Sequence, residues 1–383
     1  MKKILFITVR DPFSGRFSGD VIRANKYINF LSKRNKICVV SLGKNNKTKS
    51  KGKLFHKNFE KQNFFLNLIY LIKFFLQLKP LHFSFFYSRE MEKYIHKNFD
   101  KFDIIFFQSI RSFQYFSDKI NRKIILDMGD LYSKNYYQTY QELFFFHPLK
   151  IVYFFESFLI KKYERFCLLK ANKTLLFSKK EIAYLKKISP NKLFQINFGI
   201  DSIRKKYKFD IKNYKIIFVG NIKYAPNRRA CIDFIKNIFP KIREQYPEIE
   251  FHIFGEIYLL DKVFFMNKRN VKIFGKVKKL DPYLSNVICG LANLDISTGV
   301  QTKLLTYMSY GIPSICSKKV FLNFDKIKSI KLDYYNNKDE FIDLILKLKN
   351  NKNYSNNISS KSLKIVELFK WTNVLKTFNK VFK

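Results

Sequence analysis

The arrangement best suited to chemistry lies at residues 295–315: an apolar run, 287–296, ends in a turn of small residues, and an amphipathic helical pattern follows and ends at Gly311. Such a strand–turn–helix leaves the backbone amides of the first helical turn unpaired, and Lys303 lies just inside that turn. Free amides, the positive end of a helix dipole and a lysine form a site for an anion, most simply a phosphate. An ordinary strand-to-helix turn with Gly311 as its C-cap fits equally well. The amides concerned belong to Gly299, Val300, Gln301 and Thr302.

Two carboxylates follow another predicted strand. The segment KIILDMGD (123–130) is apolar, and Asp127 and Asp130 lie at its carboxyl end. Ligands of open α/β sheets bind beyond the carboxyl ends of the strands, so both are candidate catalytic groups. The alternative is that one of them caps the next helix. Gly19 and Arg23, beside the first strand-to-helix loop, are candidates to line the same edge.

The elements around these residues repeat a strand–loop–helix pattern in both halves of the chain. Glycines are few, 12 in 383 residues, and Gly220, Gly255 and Gly275 fall where strands end, as in tight turns at one edge of a parallel sheet. The pattern predicts an α/β fold with two doubly wound, Rossmann-like domains. No GxGxxG motif supports a dinucleotide site. The expected boundaries are 1–203 for the first domain, 204–214 for a linker, 215–365 for the second domain and 366–383 for a C-terminal helix.

The chain is strongly basic, with 73 Lys and Arg against 30 Asp and Glu and a formal net charge of +43. Codon bias explains much of this, because Lys, Asn, Ile, Phe and Tyr are all abundant; an electrostatic footprint for an anionic membrane surface is the functional alternative. The basic residues are spread evenly, so we expect no specific nucleic acid partner.

Five scattered cysteines without a CxxC pair indicate a reducing compartment and no zinc site. With a first apolar run of only 4–9, too short for a signal peptide, we expect a cytoplasmic protein.

Two stretches, 64–88 and 144–166, are rich in aromatic residues. Polar and charged residues interrupt them, whereas a membrane-spanning helix needs about 20 predominantly apolar residues in succession. They predict either buried core helices, the commoner case, or helices at a membrane interface, with Lys73 and Lys79 reaching toward the headgroups. Interfacial helices would attach the protein peripherally to the inner face of the cell membrane.

An ordered set of segments carries a family resemblance over nearly the whole chain. They include SGDVIRANKY from 18, IILDMGDLYSKNYYQ from 124, NFGID from 197, FVGNIKYAPNRRA from 218 and GVQTKLLTYMSYGIPSI from 299. The chain resembles the retaining GT-B glycosyltransferases of the "glycosyl transferases group 1" type, especially their exopolysaccharide-associated branch.

The resemblance implies a GT-B fold, in which two Rossmann-like domains face each other across a cleft and the final helix, with Trp371, packs back on the first domain. It implies that a sugar moves from a nucleotide-diphosphate sugar to a glycan or lipid-linked acceptor, with retention, in cell-surface polysaccharide synthesis. Neither a cofactor nor a tightly bound metal is expected. Amides, a helix dipole and basic side chains would then stabilise the departing diphosphate.

The resemblance also assigns roles to residues. Residues 299–303 would bind the diphosphate, Lys223 or Arg228 would add positive charge, and Gly19 and Arg23 would close over the phosphates. The nucleotide base would lie near Lys276 and Val277. Asp130 or Asp127 would contact the donor sugar or the acceptor.

Four positions depart from the family pattern. Thr306 replaces a glutamate that commonly holds the ribose hydroxyls, and Thr298 replaces an acidic residue eight positions earlier. Asn221 and Asn227 replace an arginine and a lysine that many relatives carry after the strand 215–220. Hydroxyls and amides bind without charge assistance, so we expect weaker donor binding.

Two alternatives to a transferase stay open. One keeps the fold in a nucleotide-sugar epimerase or a degenerate partner subunit. The other is a basic protein that binds a membrane or nucleic acid surface through charge alone.

Overall fold

The computed structural model describes residues 1–15, 18–143, 146–295, 301–322 and 334–382. The chain forms two compact units, one of residues 1–197 with 374–383 and the other of residues 198–373. The segment expected as a linker, 204–214, lies within the second unit. Its backbone is held there, because the amides of Arg204 and Lys206 donate to the carbonyls of Ser309 and Tyr310 at 2.6 and 2.9 Å.

The first unit is built on a sheet with strand order β3-β4-β2-β1-β5-β6-β7-β8, in which the β3–β4 pair is antiparallel and the other pairs are parallel. The four central residues of β1, 4–7, are fully buried, as expected where helices cover both faces. The strands are β1 Lys3–Thr8, β2 Lys36–Gly43, β3 Lys47–Lys51, β4 Leu54–Glu60, β5 Ile104–Gln108, β6 Lys123–Gly129, β7 Lys173–Leu176 and β8 Leu193–Gln195. The helices are α1 Gly19–Leu31, α2 Phe64–Leu76, α3 Arg89–Asn98, α4 Tyr132–Glu142, α5 Leu149–Lys170 and α6 Lys179–Leu185, with 3-10 turns at Leu81–Phe86, Phe99–Lys101 and Ser112–Tyr115.

The second unit has an all-parallel sheet with strand order β11-β10-β9-β12-β13-β14, which is the doubly wound order 3-2-1-4-5-6. Both sheets therefore confirm the predicted α/β fold class. The strands are β9 Lys215–Val219, β10 Glu250–Phe254, β11 Val271–Gly275, β12 Val287–Ala292, β13 Ser314–Ser317 and β14 Tyr334–Tyr335. The helices are α7 Ala225–Asp233, α8 Phe239–Gln245, α9 Leu259–Met266, α10 Thr302–Ser309, α11 Lys318–Leu322, α12 Lys338–Asn350, α13 Lys352–Glu367 and α14 Trp371–Phe382, with a π-helical turn at Phe234–Ile238 and a 3-10 turn at Asp281–Tyr283.

Helix α14 begins in the second unit and continues into the first. Its first residue, Trp371, lies against Gly199, where the indole leaves no room for a Cβ. From Val374 onward the helix belongs to the first unit, and there the ring of Phe378 stacks on Tyr27 with 3.8 Å between centroids.

The two aromatic stretches form α2 and α5. Helix α2 buries only Phe74, while Phe65 and Leu76 are each 76% exposed, so the core interpretation does not hold for this helix. Helix α5 buries one face, which includes Glu156 and Glu164, and leaves apolar side chains on its other face. Among the described residues, no helix is both long enough and apolar enough to cross a bilayer.

Candidate functional site

The carboxyl edge of the second sheet is organised around the point where its strand order reverses, between β9 and β12. Ligands of doubly wound sheets bind at such switch points. Gly255, just after β10, has a φ of +147°, and a Cβ there would collide with the carbonyl oxygen of Gly220 after β9. Glycine is therefore required where these two strand ends meet.

Lys303, in the first turn of α10, points into the unit rather than toward solvent. Its side chain is buried at 6% exposure, and Nζ donates to Oδ1 of Asn227 at 2.7 Å and lies 4.0 Å from the centre of the Phe218 ring. Asn227 in turn donates to the backbone oxygen of Asn221 at 2.8 Å. Burial lowers the pKa of the Lys303 amine to about 7. We expected this amine beside the first turn of α10; it lies instead against the first turn of α7 and the ring of Phe218 in β9.

Tyr307 fixes α10 against both strands of the switch point, a role that sequence reasoning missed. Its hydroxyl accepts a hydrogen bond from the amide of Val219 in β9 at 2.8 Å and donates to the carbonyl of Leu291 in β12 at 3.1 Å. The ring fits because residue 290 is glycine: a Cβ there would lie 2.5 Å from it. The only sequence signal was the one-turn spacing from Lys303, which is also typical of core packing.

Glu256, which follows β10, lies close to two of the predicted donor-binding lysines, Lys223 after β9 and Lys276 after β11. Its carboxylate lies 3.9 Å from Nζ of Lys223 and 3.6 Å from Nζ of Lys276. Sequence reasoning missed Glu256, although it directly follows Gly255 at the end of a predicted strand. Arg228, the alternative to Lys223, instead donates to Asp261 at 2.6 Å. Val277 is partly buried against the core of the unit.

The predicted anion-binding turn lies only partly within the described residues. Thr298, Gly299 and Val300 lie outside them. Gln301 is the N-cap residue of α10, and the exposed Thr302 begins the helix. Thr306 donates its hydroxyl to the carbonyl of Thr302 at 3.0 Å.

In the first unit, Arg23 and Asp127 form a buried ion pair with each other. Nε of Arg23 donates to Oδ2 of Asp127 at 2.6 Å, a second guanidinium nitrogen contacts Oδ1, and the ring of Phe177 lies 4.1 Å from the guanidinium carbon. Removing one partner would leave an uncompensated buried charge, so each group holds the other in place. This corrects two expectations: Asp127 is not an open carboxylate, and Arg23 is not open to a phosphate.

Asp130 differs from Asp127 in forming no ion pair with a described residue; its Oδ1 atom is buried and, like Oδ1 of Asp127, has no hydrogen-bond partner among the described residues. Burial raises the pKa of Asp130, and the charge of Arg23 opposes that shift. Glu181, at the start of α6, was missed by sequence reasoning. Burial and the neighbouring charge of Asp130 raise its pKa well above the ordinary range. Two carboxyl groups in one buried site share protons, so Glu181 holds its proton at neutral pH while Asp130 ionises first.

Gly19 is exposed at the start of α1, where Asp20 pairs with Arg10 at 2.9 Å. A cavity of about 820 Å³ opens nearby, at the carboxyl ends of β1, β2 and β4. Its basic lining consists of Arg10, Lys44, Lys47 and Lys61. In the described part of the chain, no cluster of three or more His, Cys, Asp or Glu side chains could hold a metal ion.

Comparisons with known proteins agree with this architecture. Residues 213–351 match the family model described as glycosyl transferases group 1. The fold is similar to that of HepE from Anabaena, solved with UDP and glucose, with a TM-score of 0.67 over 100% of this chain and 99% of that one, at 11% sequence identity. OtsA, represented by an apo structure, gives a TM-score of 0.67 over 100% and 99% of the two chains, at 10% identity.

TarM, a protein of S. aureus, gives a TM-score of 0.57 at 15% identity, over 76% of this chain; the match spans 57% of the TarM chain. No curated protein matches the chain significantly by sequence. The chain therefore has the GT-B fold, and its second unit carries a segment that matches the glycosyl transferases group 1 family.

Proposed function

We propose that the protein transfers a sugar from a nucleotide-diphosphate sugar to a glycan or lipid-linked acceptor, with retention of the anomeric configuration, in the synthesis of a cell-surface polysaccharide. The observation that carries the proposal is the cationic carboxyl edge at the switch point of the second sheet, within the segment that matches the family. HepE has been solved with UDP-glucose and TarM with UDP, so uridine diphosphate sugars are the first donors to test.

The amine of Lys303 supplies a positive charge next to Asn227, a position at which this chain itself has no charged side chain. Many members of the resembled family carry a lysine where this chain has Asn227, and here the Lys303 amine lies 2.7 Å from the Asn227 oxygen. A positive charge is therefore available at the start of α7, supplied from α10. Lys223 and Lys276 add charge at the neighbouring strand ends. In this proposal these groups stabilise the leaving diphosphate without a metal ion or cofactor.

In the first unit, Asp130 is the carboxylate that we assign to the reacting sugar. Asp127 is held by Arg23, which donates to its Oδ2 atom, whereas Asp130 forms no ion pair with any described residue. The basic cavity near Gly19 lies at the same carboxyl edge and is suited to a hydroxyl-rich acceptor or its anionic groups.

The exposed apolar side chains of α2 and α5 support peripheral attachment to the inner face of the cell membrane. Exposed apolar patches of this kind mark interaction surfaces. Lys73, which is exposed on α2, lies 5.8 Å from the ring centre of Tyr70, so a cationic group stands among the exposed apolar side chains of this helix. Such a surface favours anionic lipids.

Thermal denaturation of the full chain with a panel of nucleoside diphosphates tests the proposal. A ligand at 100 times its Kd stabilises by about 2.7 kcal/mol, which raises Tm by several degrees. We expect at least one nucleotide to give this shift, and Lys303→Met to remove it, with Lys241→Met on α8 as the surface control. If no nucleotide in the panel shifts Tm, the proposal is overturned.

A further inference from the structure

A second cavity lies in the first unit, between α4, α5 and α6. Its volume is about 460 Å³, in the range of small-molecule sites. One part of its lining is buried and aliphatic: Leu131, Leu168 and Leu185. Another part is aromatic and exposed: Tyr137, Phe154, Phe158 and Tyr184.

The exposed aromatic rings next to a buried aliphatic lining indicate an apolar occupant. Phe158 is 65% exposed and Tyr184 is 49% exposed, and both line the same cavity as the buried leucines. An apolar chain in the cavity would remove both rings and the aliphatic lining from water, which is favourable by roughly 25 cal/mol per Å² of apolar area.

The polar lining of the same cavity is cationic. Lys161 and Arg165 are one turn apart on α5, so they share a helix face, and neither forms an ion pair with any described residue. Lys134 lies 4.8 Å from the ring centre of Tyr184.

The acidic group in the lining, Glu164, does not neutralise these cations. Its carboxylate accepts hydrogen bonds from the amide and the hydroxyl of Ser133, at 3.1 and 2.5 Å. Burial raises its pKa to about 7, so it carries less than a full negative charge at neutral pH. The site as a whole therefore combines an apolar interior with an excess of positive charge.

We propose that this cavity holds the apolar chain of a single-chain anionic lipid, whose phosphate group lies at Lys161 and Arg165. The inference rests on the proposed function and narrows it, because it makes the acceptor a glycan carried on a lipid phosphate. The position in the chain agrees: Leu131, in the lining, directly follows Asp130, the carboxylate assigned to the reacting sugar.

Calorimetric titration of the full chain with dodecyl phosphate, below its micellar concentration, tests the inference, with inorganic phosphate as the headgroup alone. We expect one molecule bound per chain, at least tenfold tighter than inorganic phosphate. Phe158→Asp, and the double variant Lys161→Glu with Arg165→Glu, should each weaken binding at least tenfold. The matched controls Phe155→Asp and Lys162→Glu alter exposed residues of the same helix outside the cavity lining, and should stay within twofold of wild type.

Three results would overturn the inference: no binding of dodecyl phosphate, equal binding of inorganic phosphate, or equal losses in the test and control variants, which would indicate general surface adsorption. Nucleotide stabilisation measured on the same variants separates this failure from failure of the proposed function. The cavity variants should keep the rise in Tm that a nucleotide causes, even if they do not bind the lipid. If wild type binds dodecyl phosphate but no nucleotide raises its Tm, the proposed function fails and the assignment of the cavity to a lipid stands.

Discussion

Lys303 illustrates what residue types alone could and could not predict. Its position one step inside a helix N-terminus marked it as an anion ligand, whereas Lys223 and Lys276 were selected only through the family resemblance. Its bond to Asn227 joins residues 76 positions apart, and the Arg23–Asp127 pair joins residues 104 apart. Such partnerships depend on tertiary packing, so spacing in the sequence could not separate Asp127 from Asp130. Glu181 was hidden because it occupies a capping position, where its amide donates to the Ser178 hydroxyl at 3.4 Å.

Nucleotide binding should depend on pH through Lys303. Burial lowers the pKa of its amine to about 7, so the free protein has lost this proton above that pH. A diphosphate favours the charged amine, so binding takes up a proton above pH 7 and affinity falls as pH rises toward 9, by up to about tenfold per pH unit. Titration calorimetry with UDP at pH 7, 8 and 9 measures this slope.

The control is Lys303→Met, which should bind weakly at pH 7 and show no slope. Methionine preserves most of the buried volume and removes a buried charge, so the variant should fold. A slope in this variant equal to that of wild type would contradict the role of Lys303.

Glu181→Gln should increase stability above the ordinary pKa of a glutamate. The folded protein holds a proton on Glu181 that the unfolded chain has released, so the free energy of unfolding falls as pH rises from about 5 to 8, by at most about 1.4 kcal/mol per pH unit. Glutamine has nearly the shape of a protonated glutamate and does not titrate, so it removes this loss of stability at higher pH. Guanidinium denaturation across that pH range measures the free energy of unfolding, with Glu90→Gln at an exposed site as the control. If the free energy changes with pH in the same way in wild type and in Glu181→Gln, Glu181 does not hold a proton in the folded protein.

At the scale of elements, the buried central strands and the two aromatic helices were predictable, whereas β3 and β4, in a basic polar segment, and the surroundings of the two helices were not. Most predicted strands end at a glycine or a polar residue, and parallel packing follows from their continuous apolar runs. In α2 the apolar content suggested the core, yet an apolar helix lies equally well on a lipid surface, and composition does not distinguish the two environments. In α5 the buried face carries Glu156 and Glu164, because the backbone amides of His82 and Ser133 need acceptors there, at 2.8 and 3.1 Å.

Binding to vesicles should depend on α2. The double variant Ile69→Glu with Ile72→Glu places two charges on exposed positions of this helix, and we expect at least tenfold weaker sedimentation with phosphatidylglycerol vesicles, since each buried isoleucine contributes about 1.5–3 kcal/mol. Leu260→Glu, on the exposed part of α9, is the matched control. Equal vesicle binding by both variants would rule out α2 as the attachment surface.

At the scale of the whole molecule, the two doubly wound sheets follow from a repeated strand–loop–helix pattern, and the family match covers residues 213–351 of the second unit. The net charge is +43; basic side chains line the cavity near Gly19 and one face of α5 in the first unit, and the ends of β9 and β11 in the second. Separate clusters of this kind suit a donor phosphate, an acceptor and a lipid surface better than a nucleic acid backbone.

The most direct test is a time course with a radiolabelled nucleotide sugar, a lipid extract as acceptor and EDTA present throughout. The account predicts that label appears in a lipid-linked glycan while an equal amount of nucleoside diphosphate is released. Label that stays on the nucleotide in a different sugar would identify an epimerase instead. No consumption of any nucleotide sugar, in a preparation that retains its fold, would contradict the central claim.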